Sequence, residues 1–272
     1  MPSLLSRPPL WRSALLRRSL SLVVLGLLVS ACDTIGALKH PTPGLSRSSE
    51  IGLDSSLRLA GAALSGGDID SALRLYRAAV LDHPGALEAH RGLANAYYSV
   101  KAYPEAEAAY RRLATLQPTA AEPVLGLGRV ALAAGDHAAA TQHFQAALTL
   151  APGDAQAQNG LAVAHDFAGD HEAAQTLYAA ILTRNPTNRA VANNLALSKA
   201  LSGALPQAIE ALTDLSDGPT IMPEARYNLA LAYAMQGDEV AARRLIQRDL
   251  SQEAMQDTLA FYRTLSPQTA SR

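Results

Sequence analysis

The histidines are the residues best suited to metal or acid–base chemistry, but their spacing does not assemble a site. The chain has seven histidines. No two of them show the H-x-x-x-H or H-E-x-x-H spacing that brings two imidazoles onto one helix face to bind zinc. His137 and His171 each follow an aspartate, as is typical of the start of a helix. We therefore predict no metal site.

Two glycine-containing segments match the outline of a functional motif. Residues 126–131 fit the loose pattern G-x-G-x-x-[GA], which binds a dinucleotide only between a strand and a helix. Ser65 precedes two glycines, but its segment lacks the first glycine of a nucleophile elbow. Both segments lie within or at the end of a predicted helix, so the sequence predicts no enzyme activity and no bound cofactor.

The single cysteine, Cys32, follows an apolar run at residues 20–29 and several arginines. This arrangement is typical of a secretory signal, and the run is too short for a stable transmembrane helix, which needs about 20 residues. Residues 29–32, Val-Ser-Ala-Cys, resemble the bacterial lipobox, whose cysteine is acylated, with palmitate among the attached chains, and becomes the mature N-terminus. We predict a lipoprotein signal peptide over residues 1–31 and lipidation at Cys32. The alternative is an unmodified thiol in an ordinary signal peptide.

The lipidated N-terminus and a flexible tether are predicted over residues 32–52. Pro41, Pro43 and Gly44 interrupt any helix in this segment. A coil of this length spans roughly 20 to 25 Å root-mean-square. The folded part of the chain is therefore expected to work close to a membrane.

The rest of the chain is organised by a repeat of about 34 residues. One repeat position is leucine in all six units, and the residue after it is always small. A second small position is alanine throughout and is followed, four residues later, by a large apolar residue. The second small position and its large partner are Ala72 and Tyr76, Ala106 and Tyr110, Ala140 and Phe144, Ala174 and Tyr178, Ala208 and Leu212, and Ala242 and Ile246.

This order of small, large and proline positions resembles the tetratricopeptide repeat (TPR) family. The resemblance implies an all-α solenoid of six helix-turn-helix repeats over residues 53–256, in which stacked helix pairs share one core. Met255, Leu259 and Tyr262 recur at helical spacing, and Ser251 is placed to cap their helix. We predict a C-terminal capping helix, whose end and tail occupy residues 257–272.

Turn residues support these limits. Glycines recur where each first helix should end, and aspartates follow at most of these sites as helix N-caps. Repeat two departs from the pattern at Lys101, and there Pro104 is expected to begin the second helix.

The TPR resemblance also implies a binding surface on the first helix of each repeat. It places the second, fifth, ninth, twelfth and thirteenth residues of each unit on the concave side. Asparagines there suit the amide groups of an extended peptide, and arginines suit a carboxylate; a solvated face without function is the alternative. We call this predicted partner-binding groove the inner strip, and its residues are Arg91, Asn95, Tyr98, Arg129, Asn159, Asn193 and Tyr227.

Charge argues against nucleic acid as a partner. The whole chain has a formal net charge of −1, and removal of residues 1–31 would take away four arginines and no acidic residue. The remaining 19 basic and 24 acidic residues lack the excess of lysine and arginine that phosphate binding requires. Protein partners are favoured instead.

Residues 193–198, 227–232, 241–245 and 259–265 resemble the TadD-type TPR lipoproteins of tight-adherence (Flp) pilus systems. The resemblance implies a non-enzymatic, lipid-anchored assembly factor that binds pilus or secretion proteins, among them an outer-membrane secretin. The type IV pilus pilotins, also six-repeat lipoproteins, are one alternative. An enzyme of cell-wall turnover is another, although no nucleophile and base are apparent.

Two features of the sequence favour different membranes for the predicted lipid anchor. Asp33 follows Cys32, which favours inner-membrane retention in enteric bacteria, whereas the TadD-type resemblance implies the outer membrane. We expect the protein on the periplasmic side of the bacterial envelope, at the outer rather than the inner membrane.

Overall fold

The computed structural model describes residues 52–217 and 222–265, and regular structure in these ranges is helical. The predicted signal peptide, Cys32 and the tether up to residue 51 lie outside the described residues. Each of the first five repeats supplies two helices of similar length. The thirteen helices are α1 (Leu53–Ser65), α2 (Ile69–Asp82), α3 (Leu87–Ser99), α4 (Tyr103–Leu116), α5 (Ala121–Ala134), α6 (His137–Leu150), α7 (Ala155–Phe167), α8 (His171–Arg184), α9 (Arg189–Leu201), α10 (Leu205–Asp217), α11 (Pro223–Gln236), α12 (Glu239–Ile246) and α13 (Gln252–Thr264).

The helices form a single stacked array, which confirms the predicted solenoid. Within a repeat the first helix packs against the second, and the second packs against the first helix of the next repeat. The first helices start 34 residues apart, at Leu53, Leu87, Ala121, Ala155, Arg189 and Pro223. No helix of the described ranges has both the length and the apolar character needed to cross a membrane.

The second small position lies where the two helices of a repeat meet. All six of its alanines, from Ala72 to Ala242, have 0% exposed surface. The six large residues that follow four positions later are buried as well. A larger side chain at the alanine position would overpack this contact, which explains the spacing seen in the sequence.

Aromatic rings join the first four repeats by packing against bare backbone. Gly92, Gly126 and Gly160 occupy the sixth position of repeats two, three and four. A Cβ at these glycines would lie 2.1, 2.3 and 2.4 Å from ring atoms of the preceding repeat. The rings concerned are those of Tyr76, Tyr110 and Phe144. Each ring therefore fills space that any side chain on the next first helix would occupy.

The turns inside the repeats follow the predicted pattern. Gly67, Gly135, Gly169, Gly203 and Gly237 all have positive φ, and the aspartates that follow four of them cap the next helix. Their side chains accept hydrogen bonds from backbone N–H groups of Ser71, Ala139, Ala173 and Ala241. Lys101 also adopts positive φ, at 63°, and Pro104 lies in the first turn of α4, as expected.

The predicted capping helix is present as α13. The second helix of repeat six, α12, ends early at Ile246, and α13 begins at Gln252 after the N-cap Ser251, whose side chain accepts from Ala254 N–H. α13 packs on α11 and α12. Met255, Leu259 and Tyr262 form its buried face. This helix closes the apolar end of the stack.

Tyr262 should make the attachment of this cap sensitive to alkaline pH. Burial raises the pKa of Tyr262 from 10.0 to about 12. The unfolded chain then loses the phenolic proton first, so stability that is complete below pH 10 falls between about pH 10 and 12. In urea unfolding at several pH values, Tyr262→Phe should show a shallower alkaline loss than the wild type. Equal losses in both proteins would contradict this assignment.

Candidate binding surface on the first helices

The first helices bring the predicted inner-strip residues onto neighbouring elements. Contacts join α1 with α3, α5 with α7, α7 with α9, and α9 with α11. Residues at equivalent positions of these helix pairs therefore lie side by side, and side-chain contacts of Arg91 with Glu122 and of Tyr98 with Arg129 link α3 with α5. Their individual environments differ sharply between the two halves of the chain.

Arg91 is engaged with acidic neighbours. Its Nε donates to Glu122 Oε1 at 2.5 Å, and its Nη1 lies 3.7 Å from Glu88 Oε1. The hydrogen bond to Glu122 raises the pKa of Arg91. The two carboxylates compensate the charge of this guanidinium, so Arg91 contributes little net positive potential to the inner strip.

Asn95 is oriented by the buried aromatic residue of its own repeat. The Tyr110 hydroxyl donates to Asn95 Oδ1 at 2.6 Å. Burial is the main cause of the raised pKa of Tyr110, and the nearby charge of Arg129 opposes that rise. This bond uses one of the two lone pairs of Asn95 Oδ1, and the Nδ2 group of Asn95, which only donates, is left for other partners.

Tyr98 and Arg129 form a stacked pair between repeats two and three. The guanidinium carbon of Arg129 lies 4.7 Å from the Tyr98 ring centroid, within the range of a cation–π contact. Arg129 is half-buried. Within residues 52–217 and 222–265 it makes no ion pair with an acidic side chain. Its guanidinium therefore has an aromatic neighbour but no carboxylate of these residues within ion-pair distance.

The expectation that Asn193 is exposed is wrong. Its side chain has 0% exposed surface, and its Oδ1 accepts from Asn228 Nδ2 at 3.0 Å. Asn159 is half-buried, and its Oδ1 accepts from Asn194 Nδ2 at 3.1 Å. These asparagines pair with each other across repeat boundaries, because the sixth position of repeats five and six is Asn194 and Asn228 instead of glycine.

Tyr227 is held at the end of the array. Its hydroxyl donates to Asp249 Oδ2 at 3.2 Å, and Arg226 forms an ion pair with the same oxygen. Its backbone carbonyl accepts from the Tyr262 hydroxyl of α13 at 3.4 Å. Contacts with the sixth repeat and the cap thus occupy Tyr227, which leaves repeats two to four as the accessible polar part of the inner strip.

The sequence reasoning missed Asp166. Its carboxylate accepts from Ser198 Oγ at 2.6 Å, His171 Nδ1 at 2.8 Å and the Tyr178 hydroxyl at 2.9 Å. Burial, and then the charge of Asp166, raise the pKa of Tyr178 above its ordinary value. Asp166 occupies the twelfth position of repeat four and Glu122 the second position of repeat three, so the spacing used for the inner strip could have identified both.

The other residues with possible chemistry lie in structural roles. His137 stacks on Phe167 with ring centroids 4.5 Å apart and an interplanar angle of 6°. Residues 126–131 lie inside α5, and Ser65 ends α1. In the described part of the chain no three histidine, cysteine or acidic residues are grouped so as to hold a metal ion.

Two segments match family models described as tetratricopeptide repeat, at residues 57–121 and 131–198. Three solved structures share the fold at low sequence identity. A tetratricopeptide repeat protein from Parabacteroides merdae is 14% identical, with TM-score 0.69, over 80% of this chain and 86% of that one. PilW, a type IV pilus biogenesis factor, is 19% identical, with TM-score 0.66, over 78% of this chain and 100% of its own. PilF of Pseudomonas aeruginosa is 17% identical, with TM-score 0.60, over 77% of this chain and 97% of that one. A search of curated proteins finds no match.

Proposed function

We propose that this chain, in which two segments match tetratricopeptide repeat models and the helices stack in the same fold, is a non-enzymatic scaffold whose inner strip binds protein partners. The supporting observation is the group formed by Asn95, Tyr98 and Arg129. The Nδ2 group of Asn95 and the guanidinium of Arg129 can both donate hydrogen bonds. Neither is paired with an acidic residue of the described chain. Such an accessible polar surface on rigid helices suits recognition of a protein segment.

The process we propose is assembly of a tight-adherence (Flp) pilus, in which the outer-membrane secretin is a partner. The TadD-type sequence resemblance described above supports the Flp system. Similarity of fold to PilW and PilF favours a second candidate, a pilotin role in type IV pilus assembly. Deletion of the gene should abolish surface pili of one class, and counting both classes by electron microscopy separates the two candidates.

Anchoring through an acylated Cys32, at the outer membrane facing the periplasm, completes the proposal. Cys32→Ser should release the protein from membranes, because the chain has no other cysteine to acylate. The measurement is membrane fractionation together with uptake of labelled palmitate, and Ser48→Ala in the predicted tether is the control. Membrane association of the Cys32→Ser variant, combined with no label in the wild type, would overturn the anchor.

The binding role is tested by recovery of the secretin from detergent-solubilised membranes. A variant with alanine at Asn95, Tyr98 and Arg129 should recover little secretin, whereas the wild type recovers it. The control carries alanine at three exposed residues of the second helices, namely Arg74, Arg112 and Gln145. Equal recovery by all three proteins at matched folded concentration would exclude the inner strip as the binding surface.

A further inference from the structure

Arg129 differs from Arg91 in what already surrounds its charge. Arg91 faces Glu122 and Glu88, whereas the guanidinium of Arg129 has no carboxylate partner in residues 52–217 and 222–265. A half-buried cation without a counter-ion is an electrostatic cost that a bound anion relieves. The two arginines of the inner strip are therefore not equivalent.

We propose that Arg129, with Asn95 and Tyr98, forms a receptor for one acidic side chain in an extended segment of the partner protein. This proposal rests on the proposed function and names the chemistry that the inner strip selects. The surface would recognise aspartate or glutamate through the planar fork of Arg129, which matches the two oxygens of a carboxylate.

Arg129 and Asn95 both offer hydrogen-bond donors in this part of the inner strip. The guanidinium carbon of Arg129 lies over the Tyr98 ring at 4.7 Å from its centroid, a cation–π contact that leaves N–H groups of the guanidinium to donate to a ligand. The Tyr110 hydroxyl donates to Asn95 Oδ1, and the Nδ2 group of that amide is a donor as well.

The balance of charge favours a single carboxylate over a phosphate. Of the two arginines of the inner strip, Arg129 alone has no carboxylate of the described residues within ion-pair distance, while Glu88 and Glu122 lie beside Arg91 and would repel a dianion. The strip continues past Arg129 on both sides, to Asn95 in repeat two and Asn159 in repeat four. An extended segment that passes across Arg129 fits this layout better than a chain that ends there.

The test uses full-length protein in detergent and a phage library of random nine-residue segments held between fixed flanks. Enriched segments are synthesised with both termini blocked, and each acidic residue is changed singly to its amide. Neutralising one acidic residue should weaken binding to the wild type by about tenfold or more, as expected for a lost charge-assisted hydrogen bond. Binding should also weaken as salt rises.

Arg129→Gln should weaken binding of the acidic segment by a similar factor and should no longer distinguish it from the neutralised one. Arg129→Lys, which keeps the charge but not the fork, should fall between the two. The matched control is Arg112→Gln, which removes an exposed arginine on the second helix of repeat two, outside the inner strip. It should bind within about twofold of the wild type.

The receptor is excluded if the neutralised segment binds the wild type equally well, if Arg129→Gln has no effect, or if no segment is enriched. Equal secretin recovery by wild type and Arg129→Gln would overturn the receptor and leave the scaffold role standing. Failure of the wild type to recover secretin would count against the proposed function alone.

Discussion

Phe144→Ala is expected to lower the free energy of unfolding by about 3 to 5 kcal/mol, the range for deleting a buried phenylalanine. The ring has 0% exposed surface and fills the space beside Gly128 in its own repeat and Gly160 in the next. Because neither glycine has a side chain that could move into the cavity, little relaxation can offset the loss. Urea denaturation followed by circular dichroism measures the change.

Phe167→Ala is the matched control, because Phe167 is 52% exposed and its removal should cost less than about 1 kcal/mol. Gly160→Ala tests the same contact from the other side. Alanine gains up to about 1 kcal/mol of helix propensity, but its Cβ would lie 2.4 Å from the ring, so overpacking should dominate. If Gly160→Ala is as harmful in the Phe144→Ala background as alone, ring contact is not the cause.

Asp166→Ala is expected to destabilise the array by about 2 to 5 kcal/mol, since each buried donor left without an acceptor costs about 1 to 3 kcal/mol. The Asp166 side chain is 9% exposed, and two of its donors, Ser198 and Tyr178, have 0% exposed surface. Ser198 belongs to repeat five, so the variant should weaken the junction between repeats four and five. Urea denaturation again gives the size of the effect.

Removing the orphaned donors as well provides the control for this prediction. The triple variant Asp166→Ala/Tyr178→Phe/Ser198→Ala should recover part of the stability, because deleting both partners of a buried hydrogen bond costs less than deleting one. A triple variant no more stable than Asp166→Ala would show that lost packing, and not unsatisfied donors, causes the change.

The repeat pattern was sufficient to predict the architecture because local and long-range requirements recur together. Alanine at the helix contact, glycine at positive φ and aspartate at the following N-cap each have one physical role at one position. Their period of 34 residues fixes the start of every first helix. Ser251 and the apolar spacing after it likewise identify the cap before any contact is known.

The site was predicted less completely, because its properties depend on which residues face each other across repeats. Position alone cannot show that Glu122 neutralises Arg91 and leaves Arg129 without a counter-ion. Asn193 illustrates the same limit, because its burial and its hydrogen bond involve Asn228 of the next repeat. The sixth-position glycines are similar: their need for a bare backbone appears only when the ring of the preceding repeat is placed against them.

The turn of repeat two has a consequence for motion along the array. Repeats one, three, four and six combine a positive-φ glycine with a capping aspartate, whereas repeat two has Lys101 at φ 63° and Ala102 without a side-chain cap. A left-handed non-glycine residue costs about 1 to 2 kcal/mol, and a missing cap about 1 kcal/mol more. Transient opening is therefore easier here than at those four turns. Tyr98 lies three residues before Lys101, so opening of this turn would also loosen the ring contact that Tyr98 makes with Arg129.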